Sequence, residues 1–384
     1  MGTRTAIVGV GQTYHTSKRK DVNGQELINE AVRRALEDAD LTLKDIDAIV
    51  IGNMDHFEAI NCVDCWSVDG SGAFMKPIMK VTTGGSTGGT LGSCAYYHVA
   101  SGLFDVVMAI GWEKNSESDT QAAISTCADP ILERDFFGGA IGPNAAEYAM
   151  YMKQYGASEE DAAMVAVRDH NNALNNPYAH LRKHITVEDV MNSPVLCWPI
   201  KLLDSCPRSD GACAVIYAAE GRAEKIASRP AWVHASAVSH DYVYFGDYDW
   251  EAMPTLEATA SRVYKRAGIV NPLKEIDVME LYLPFSTCGV IWMEHMWVCG
   301  RGESPRLIRE GVFDMDGELP VNPSGGVLST NPIGATALIR IGEAALQIMN
   351  KAGSRQVPNV NTAMATAFGS CYWFEATILR SGKP

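Results

Sequence analysis

No apolar run in this chain approaches the roughly 20 residues needed to cross a bilayer, so no membrane span is expected. Basic residues are in short supply: 32 Lys and Arg stand against 46 Asp and Glu, a formal net charge of −14. A nucleic-acid surface needs clustered basic side chains, and this balance argues against one. A second cysteine pair is also missing. Cys62 and Cys65 form a lone CxxC with no partner pair at zinc spacing, whereas a structural zinc site usually takes four ligands. Buried thiols are expected there, and no metal. The ten cysteines are scattered, some in apolar runs such as those around Cys197 and Cys213. That distribution fits reduced thiols in a cytoplasm and not a disulfide framework. The N-terminus enters an apolar strand at once, without the charged-then-apolar layout of a signal peptide. A myristoylation pattern begins at Gly2 but meets Ala6 where it wants a hydroxyl, which argues against that anchor.

What the chain does have is length and alternation. Its 384 residues, 47% of them hydrophobic, are enough for one large core or two comparable ones. Strands alternate with amphipathic helices, the pattern of a sheet covered by helices. Leu27, Ile28, Ala31, Val32, Ala35 and Leu36 give one helix a continuous apolar face.

The alternation repeats. A helix, the segment LKDID at 43–47 and the strand Ala48–Ile51 are echoed by a helix, LKEID at 273–277 and the strand Val278–Leu281. Thr83-Gly84-Gly85 in the first half is echoed by Ser324-Gly325-Gly326 in the second, each before a small-residue helix. Two matched elements in one order predict a duplicated α/β half. The expected halves are 1–225 and 226–384. The first carries an insertion at about 117–205, with helices predicted at Ala145–Tyr155 and Glu159–Asn175 and loops marked by Pro177, Pro194 and Pro199. Long insertions of this kind often carry a ligand-covering surface.

The segment Val81–Cys94 reads VTTGGSTGGTLGSC and runs into a helix predicted from Ala95 to Gly102, then a strand at Val106–Ile110. A strand, a Gly-rich elbow and a helix N-terminus together make a place for an anion or a nucleophile. It is no dinucleotide fingerprint, because no suitably placed acidic residue follows. Four further stretches carry a family pattern: Asn175 to Pro194, Leu202–Val215 with its Ser-Asp-Gly-Ala core, Glu280–Phe285 (ELYLPF), and Gly325–Ala335 (GGVLSTNPIGA). With the elbow, these resemble the thiolase superfamily over nearly the whole chain. The likeness is strongest to its sterol-carrier-protein and archaeal branches. The resemblance implies a five-layer αβαβα fold of two βαβαβαββ halves and a homodimeric core. It also implies a small zinc-ribbon/OB-fold partner subunit. Coenzyme A is expected as a substrate or product, with no covalently bound cofactor.

The resemblance also exposes what is altered. Gly85 stands where thiolases carry the acyl-accepting cysteine, with Gly84 beside it in the elbow. Asn331 replaces the histidine of Gly-His-Pro, and Tyr282 replaces the Asn or His of the third motif. The C-terminal Gly-rich loop, FGSCYWF at 368–374, puts Gly369, Cys371 and Tyr372 against the implied site. Asn331 could donate its amide to a thioester oxygen or be a turn residue before Pro332. Tyr282 could donate or shuttle a proton, given a lowered pKa, or be a core tyrosine at a strand end; thiolase-like retro-aldolases acting on steroid side chains also place tyrosine here. Cys371 is either a displaced nucleophile or a packed thiol. Cys94 is expected to be buried, and Cys288, which follows the third motif, could reach the site but is not the favoured thiol. His98 is expected at a core or dimer face, with His170 and His184 as possible phosphate contacts or plain solvated side chains. The aromatic stretch His240–Trp250, with Tyr242, Tyr244 and Phe245, could wall a cyclic or aromatic acyl group. Three readings follow. The first is thiolytic cleavage of a bulky β-ketoacyl-CoA, for example benzoylsuccinyl-CoA. The second is retro-aldol cleavage of a β-hydroxyacyl-CoA such as a steroid side chain. The third is a scaffold subunit without activity.

Overall fold

The computed structural model describes residues 2–54, 63–137, 139–241, 249, 252–369 and 372–384. Nine strands make its main sheet: β1 (Thr5–Gln12), β2 (Ala48–Gly52), β3 (Ile78–Lys80), β4 (Val106–Lys114), β5 (Asp210–Ala219), β6 (Ala231–Ser239), β7 (Val278–Glu280), β8 (Thr362–Gly369) and β9 (Trp373–Arg380). Their order is β3-β2-β4-β5-β1-β6-β9-β8-β7. The halves join edge to edge, where Ala6 pairs with Trp232 and Ile7 with Ala231.

Outward from that seam the pairings match step for step. β1–β5 and β6–β9 are antiparallel, β4–β5 and β8–β9 are antiparallel, and β2–β4 and β7–β8 are parallel. β3 lies parallel beside β2 at the first edge. At the other edge a single bridge, Met279 to Val321, takes its place. The repeated aspartates do the same work twice. Asp47 Oδ2 accepts from the Asp105 and Val106 amides at 2.9 and 2.8 Å, at the start of β4. Asp277 Oδ2 accepts from the Asn361 and Thr362 amides at 2.8 and 2.9 Å, at the start of β8. Each carboxylate satisfies donors that would otherwise stand orphaned at a strand entrance, which is why the motif ends in Asp in both halves.

Helices complete the layers. α1 (Gly24–Ala39) covers one face of the first half-sheet, and its Leu27, Ile28 and Ala31 are fully buried as the apolar face predicts. α2 (Thr87–Ala100) and α7 (Ile333–Met349) pack on each other between the half-sheets. α5 (Pro254–Ala267) covers the far face of the second half. The result is the five-layer arrangement.

The helix after the elbow starts at Thr87 and not at Ala95. Its glycines are packing surface and not loop. A Cβ on Gly88 would come within 2.3 Å of the Leu338 backbone nitrogen, so only glycine lets α2 and α7 cross this closely. The insertion contributes α3 (Ile141–Tyr155) and α4 (Glu159–Asn172), against which α6 (Ser286–His295) packs. α3 begins four residues earlier than its apolar pattern suggested.

Two cysteine expectations are corrected. Cys65 is exposed, in a stretch that stays at the surface, where its neighbour Trp66 is exposed too and only lays its ring on Trp112 at 5.8 Å; Cys62 lies outside the described residues. Cys197 is exposed too, on a short ribbon (Val195–Cys197 with Ile200–Lys201) whose first strand faces outward. Cys213 is buried.

Candidate functional site

β7 leaves the sheet after Glu280, and the next two amides are held by side chains. Leu281 N–H donates to Asn322 Oδ1 at 2.6 Å, and Tyr282 N–H donates to Thr366 Oγ1 of β8 at 2.9 Å. Glu280 itself is buried and accepts from the Ser324 amide (3.0 Å), the Ser324 hydroxyl (2.7 Å) and Arg340 of α7 (2.6 Å). Losing one partner of such a buried pair typically costs about 3–5 kcal/mol, so Tyr282 hangs from a rigid anchor.

The Ser-Asp-Gly-Ala stretch is laced to two other motifs. Ser205 bridges Phe285, and the Cys206 amide donates to Pro284 O at 3.0 Å. The Asn331 amide donates to Ser209 Oγ at 3.1 Å, and Asn331 O accepts from Ser209 N and from Asn115 Nδ2. Motifs far apart in sequence thereby meet at one wall.

That wall encloses a cavity of about 370 Å³, the size of a small-ligand site. Gly85, Tyr282, Asn331, Gly369 and Tyr372 all line it, with Cys206 between them. Met54, Ile124, Leu196, Phe285, Ile333 and Phe368 make much of the rest apolar. Gly84 does not line it; it shapes the elbow with a φ of 61°, a conformation that favours glycine.

A side chain at Gly85 would force its surroundings to shift. A Cβ there would lie 2.9 Å from Phe368 O, 3.4 Å from the Gly369 Cα and 3.5 Å from the Tyr282 hydroxyl. A Cβ at this position would press on the backbone of the C-terminal loop and face the Tyr282 hydroxyl. Tyr282 is buried, and burial pushes its hydroxyl above the usual tyrosine value, with the nearby Cys206 adding to the effect. This corrects the lowered value expected for it. A desolvated phenol holds its proton and acts as a donor.

Asn331 is oriented by its neighbours. Thr336 donates its hydroxyl to Asn331 Oδ1 at 2.8 Å, which turns the amide Nδ2 toward Cys206 Sγ at 3.1 Å. Cys206 was not singled out from the sequence, since it stands outside the family's catalytic motifs. A cysteine just before the Pro207 of a matched motif was the available signal. Burial pushes its thiol up to about 12, so it is a poor nucleophile as it stands.

Tyr372 has a φ of 47°, an unusual conformation for a bulky side chain. Its ring meets Phe368 edge-on at 5.9 Å, and its hydroxyl donates to Glu147 of α3. Sequence reasoning missed Glu147, because nothing in a helical insertion marks one carboxylate among several.

Other expected residues lie elsewhere. Cys371, Tyr242, Tyr244 and Phe245 fall outside the described residues. His240 is exposed and stacks on Trp373 at 5.0 Å; it does not line the cavity. Cys288 is buried behind the wall, its thiol on Asn144 Oδ1 at 3.1 Å. Cys94 is half-buried, and its carbonyl holds the His98 ring at 2.7 Å. His170 is buried in the packed interior, and neither it nor His184 lines the cavity.

Comparison with known proteins agrees with this geometry. The family model for the thiolase N-terminal domain matches residues 3–221, and that for the thiolase C-terminal domain-like family matches 236–381. An acetyl-CoA acetyltransferase of Methanothermobacter thermautotrophicus is 34% identical over 375 residues, covering 95% of this chain and 96% of that protein. The benzoylsuccinyl-CoA thiolase subunit BbsB of Thauera aromatica is 32% identical over 286 residues, 74% of each chain. The solved structure titled Ltp2-ChsH2(DUF35) aldolase superposes with a TM-score of 0.83 at 26% identity, covering 98% of this chain and 97% of that one.

Proposed function

Since the chain belongs to the thiolase family and is similar to its acetyl-CoA acetyltransferases, we propose that it breaks or makes a carbon–carbon bond beside the thioester of a bulky acyl-CoA. The reading supported best is a retro-aldol cleavage without an acyl-enzyme at the elbow. One observation carries it: the position of a Cβ on Gly85 lies 2.9 Å from Phe368 O, with the Tyr282 hydroxyl 3.5 Å away. A donor faces the place where a thiolase nucleophile would stand.

In this reading the β-hydroxyl loses its proton at Tyr372, and the Cα–Cβ bond breaks. Its electron pair moves into the thioester as an enolate, and the β-carbon leaves as a carbonyl. Asn331 Nδ2 donates to the enolate oxygen, where a fixed donor acts most strongly in a desolvated site. Tyr282, which keeps its proton, delivers it to Cα. The apolar cavity walls suit a bulky or cyclic group and exclude water from the enolate. The aldolase title of the structural neighbour supports this reading.

A second reading, thiolysis of a bulky β-ketoacyl-CoA, is supported by Cys206 beside Asn331 and by the names of the acetyltransferase and BbsB relatives. A paired assay separates them. β-Hydroxyacyl-CoA without added CoA should release an aldehyde or ketone. CoA-dependent cleavage of β-ketoacyl-CoA alone would replace the lyase reading with acyl transfer. In that case an acyl adduct on Cys206 or Cys371, lost in the matching Ala variant, would identify the nucleophile by intact-protein mass spectrometry. Activity on neither substrate favours the scaffold.

The assembly proposed is a homodimer bound by a small zinc-ribbon/OB-fold subunit. β3 is an edge strand, and Phe74, Met75 and Met79 beside or on it are exposed at 76%, 87% and 50%. Such an edge is normally covered. The aldolase neighbour's title pairs Ltp2 with a second component. Light scattering at micromolar concentration should give a dimer mass; a fully active monomer would sink the proposal.

A further inference from the structure

We propose that Glu147 of α3 is the final acceptor of the proton removed from substrate, acting through the Tyr372 hydroxyl. The inference deepens the reaction proposed above and rests on Tyr372 facing the substrate. Three observations carry it. Tyr372 lines the cavity, whereas Glu147 is buried behind it and does not. The Tyr372 hydroxyl donates to Glu147 Oε1, so its proton has an acceptor already in place. The Tyr372 backbone holds a left-handed φ of 47°, the kind of conformation that persists where surrounding structure requires it. The helix that carries Glu147 also walls the cavity through Ile141, Pro143 and Asn144.

The proton moves in two coupled steps. The substrate O–H bond breaks as its proton passes to Tyr372 Oη. The proton Tyr372 already held passes to the Glu147 carboxylate. Tyr372 is neutral before and after, and Glu147 ends protonated. The electron pair of the broken Cα–Cβ bond goes to the enolate, which Tyr282 protonates. Once the products leave and water enters the cavity, Glu147 returns its proton through Tyr372 and that water to the Tyr282 phenolate, since both tyrosines line the cavity. No oxidant or added reactant is needed.

The surroundings suit this role. Burial raises the Glu147 carboxyl from about 4.5 to about 7, and the Tyr372 hydrogen bond only partly offsets the shift. The neighbouring groups are the Cys288 thiol of α6, which the Glu147 charge pushes up further, the adjacent Tyr148, and Tyr151 one turn on along α3. Tyr148 donates to Ser158 O at 2.6 Å, and Tyr151 donates to the Glu294 carboxylate of α6 at 2.5 Å. Burial pushes all three of these groups up, so each keeps its proton near neutrality. On the ribbon packed against α3, Cys197 is exposed. Glu147 is thus the group here that changes charge near pH 7.

The test compares wild type, Glu147→Gln and Glu147→Asp by kcat and KM from pH 5.5 to 9 on a β-hydroxyacyl-CoA. Wild-type turnover should rise with pH through a limb near 7. Glu147→Gln should lose roughly 10²–10⁴-fold in kcat, with KM within a few-fold and the limb gone. Glu147→Asp should recover part of the rate and a limb. Folding has its own readout. The protonated carboxyl is favoured in the fold, so the wild type loses stability as pH rises from about 4.5 through about 7. Neutral Gln does not, and its melting temperature relative to wild type should increase over that range. A Glu147→Gln enzyme within threefold of wild type, or one that keeps the limb, overturns the proposal. Wild type that cleaves only β-ketoacyl-CoA with CoA overturns the lyase reading alone. The same comparison on that reaction then decides Glu147 as acceptor of the CoA thiol proton. Wild type inert to both substrates overturns both.

Discussion

Tyr282→Phe should lower turnover by roughly 10²–10⁴-fold, the usual cost of losing one general acid, while the protein stays folded. The ring remains and packs in the same buried place. The anchors of the turn are untouched, because they run through the Leu281 and Tyr282 amides and the Glu280 carboxylate. Only the hydroxyl that faces Gly85 is removed. Burial holds that hydroxyl protonated across the neutral range, so its loss should depress kcat at every pH and leave the limb near 7 in place. That separates it from Glu147, whose loss removes the limb. The measurement is kcat against pH on β-hydroxyacyl-CoA, with a thermal melt as the folding control. A variant of normal turnover would show that the hydroxyl is only packed there.

Asn331→Leu should cost about 10²–10³-fold in kcat, the typical loss on removing one oxyanion donor, with KM changed only a few-fold. The backbone contacts of residue 331 to Ser209 and Asn115 survive the change. The Thr336 hydroxyl loses its acceptor, which costs roughly 1–3 kcal/mol of stability. Asn331→Asp is the matched control. It keeps an oxygen for Thr336 but offers no N–H to the enolate, so it should fold better than the Leu variant and be as inactive. Normal kcat in both variants would remove Asn331 from the site, whatever the reaction.

Much of the architecture was legible in local sequence. The two LK(D/E)ID segments have an internal job, receiving the amides at the entrance of the neighbouring strand, and that job recurs with the fold unit. The apolar face of α1 follows from a 3.6-residue period that one sheet face satisfies. The run of glycines after the elbow was misleading for a physical reason. Gly88 is a point of helix crossing, and close approach to Leu338 is invisible until α7 is in place. The extended start of α2 follows from that.

The site divides in the same way. Tyr282, Asn331, Gly369 and Tyr372 could be named because each sits in a short stretch that resembles a thiolase motif, and all four line one cavity. His240 could not be placed, since its neighbour Trp373 comes from β9, more than a hundred residues later. Cys206 and Glu147 gain their meaning only from partners distant in sequence, Asn331 and Tyr372.

The chain by itself determined the family, the duplicated halves and the absence of a cysteine at position 85. These depend on residue identity and short-range periodicity. Tertiary structure alone decided that a side chain at 85 would press on the Phe368 backbone, that Tyr282 keeps its proton, and that burial raises the Glu147 carboxyl to about 7. The physical reason is that free space and desolvation belong to the packed surroundings of a group. They arise only when β7, β8, α3 and the elbow close around the same cavity.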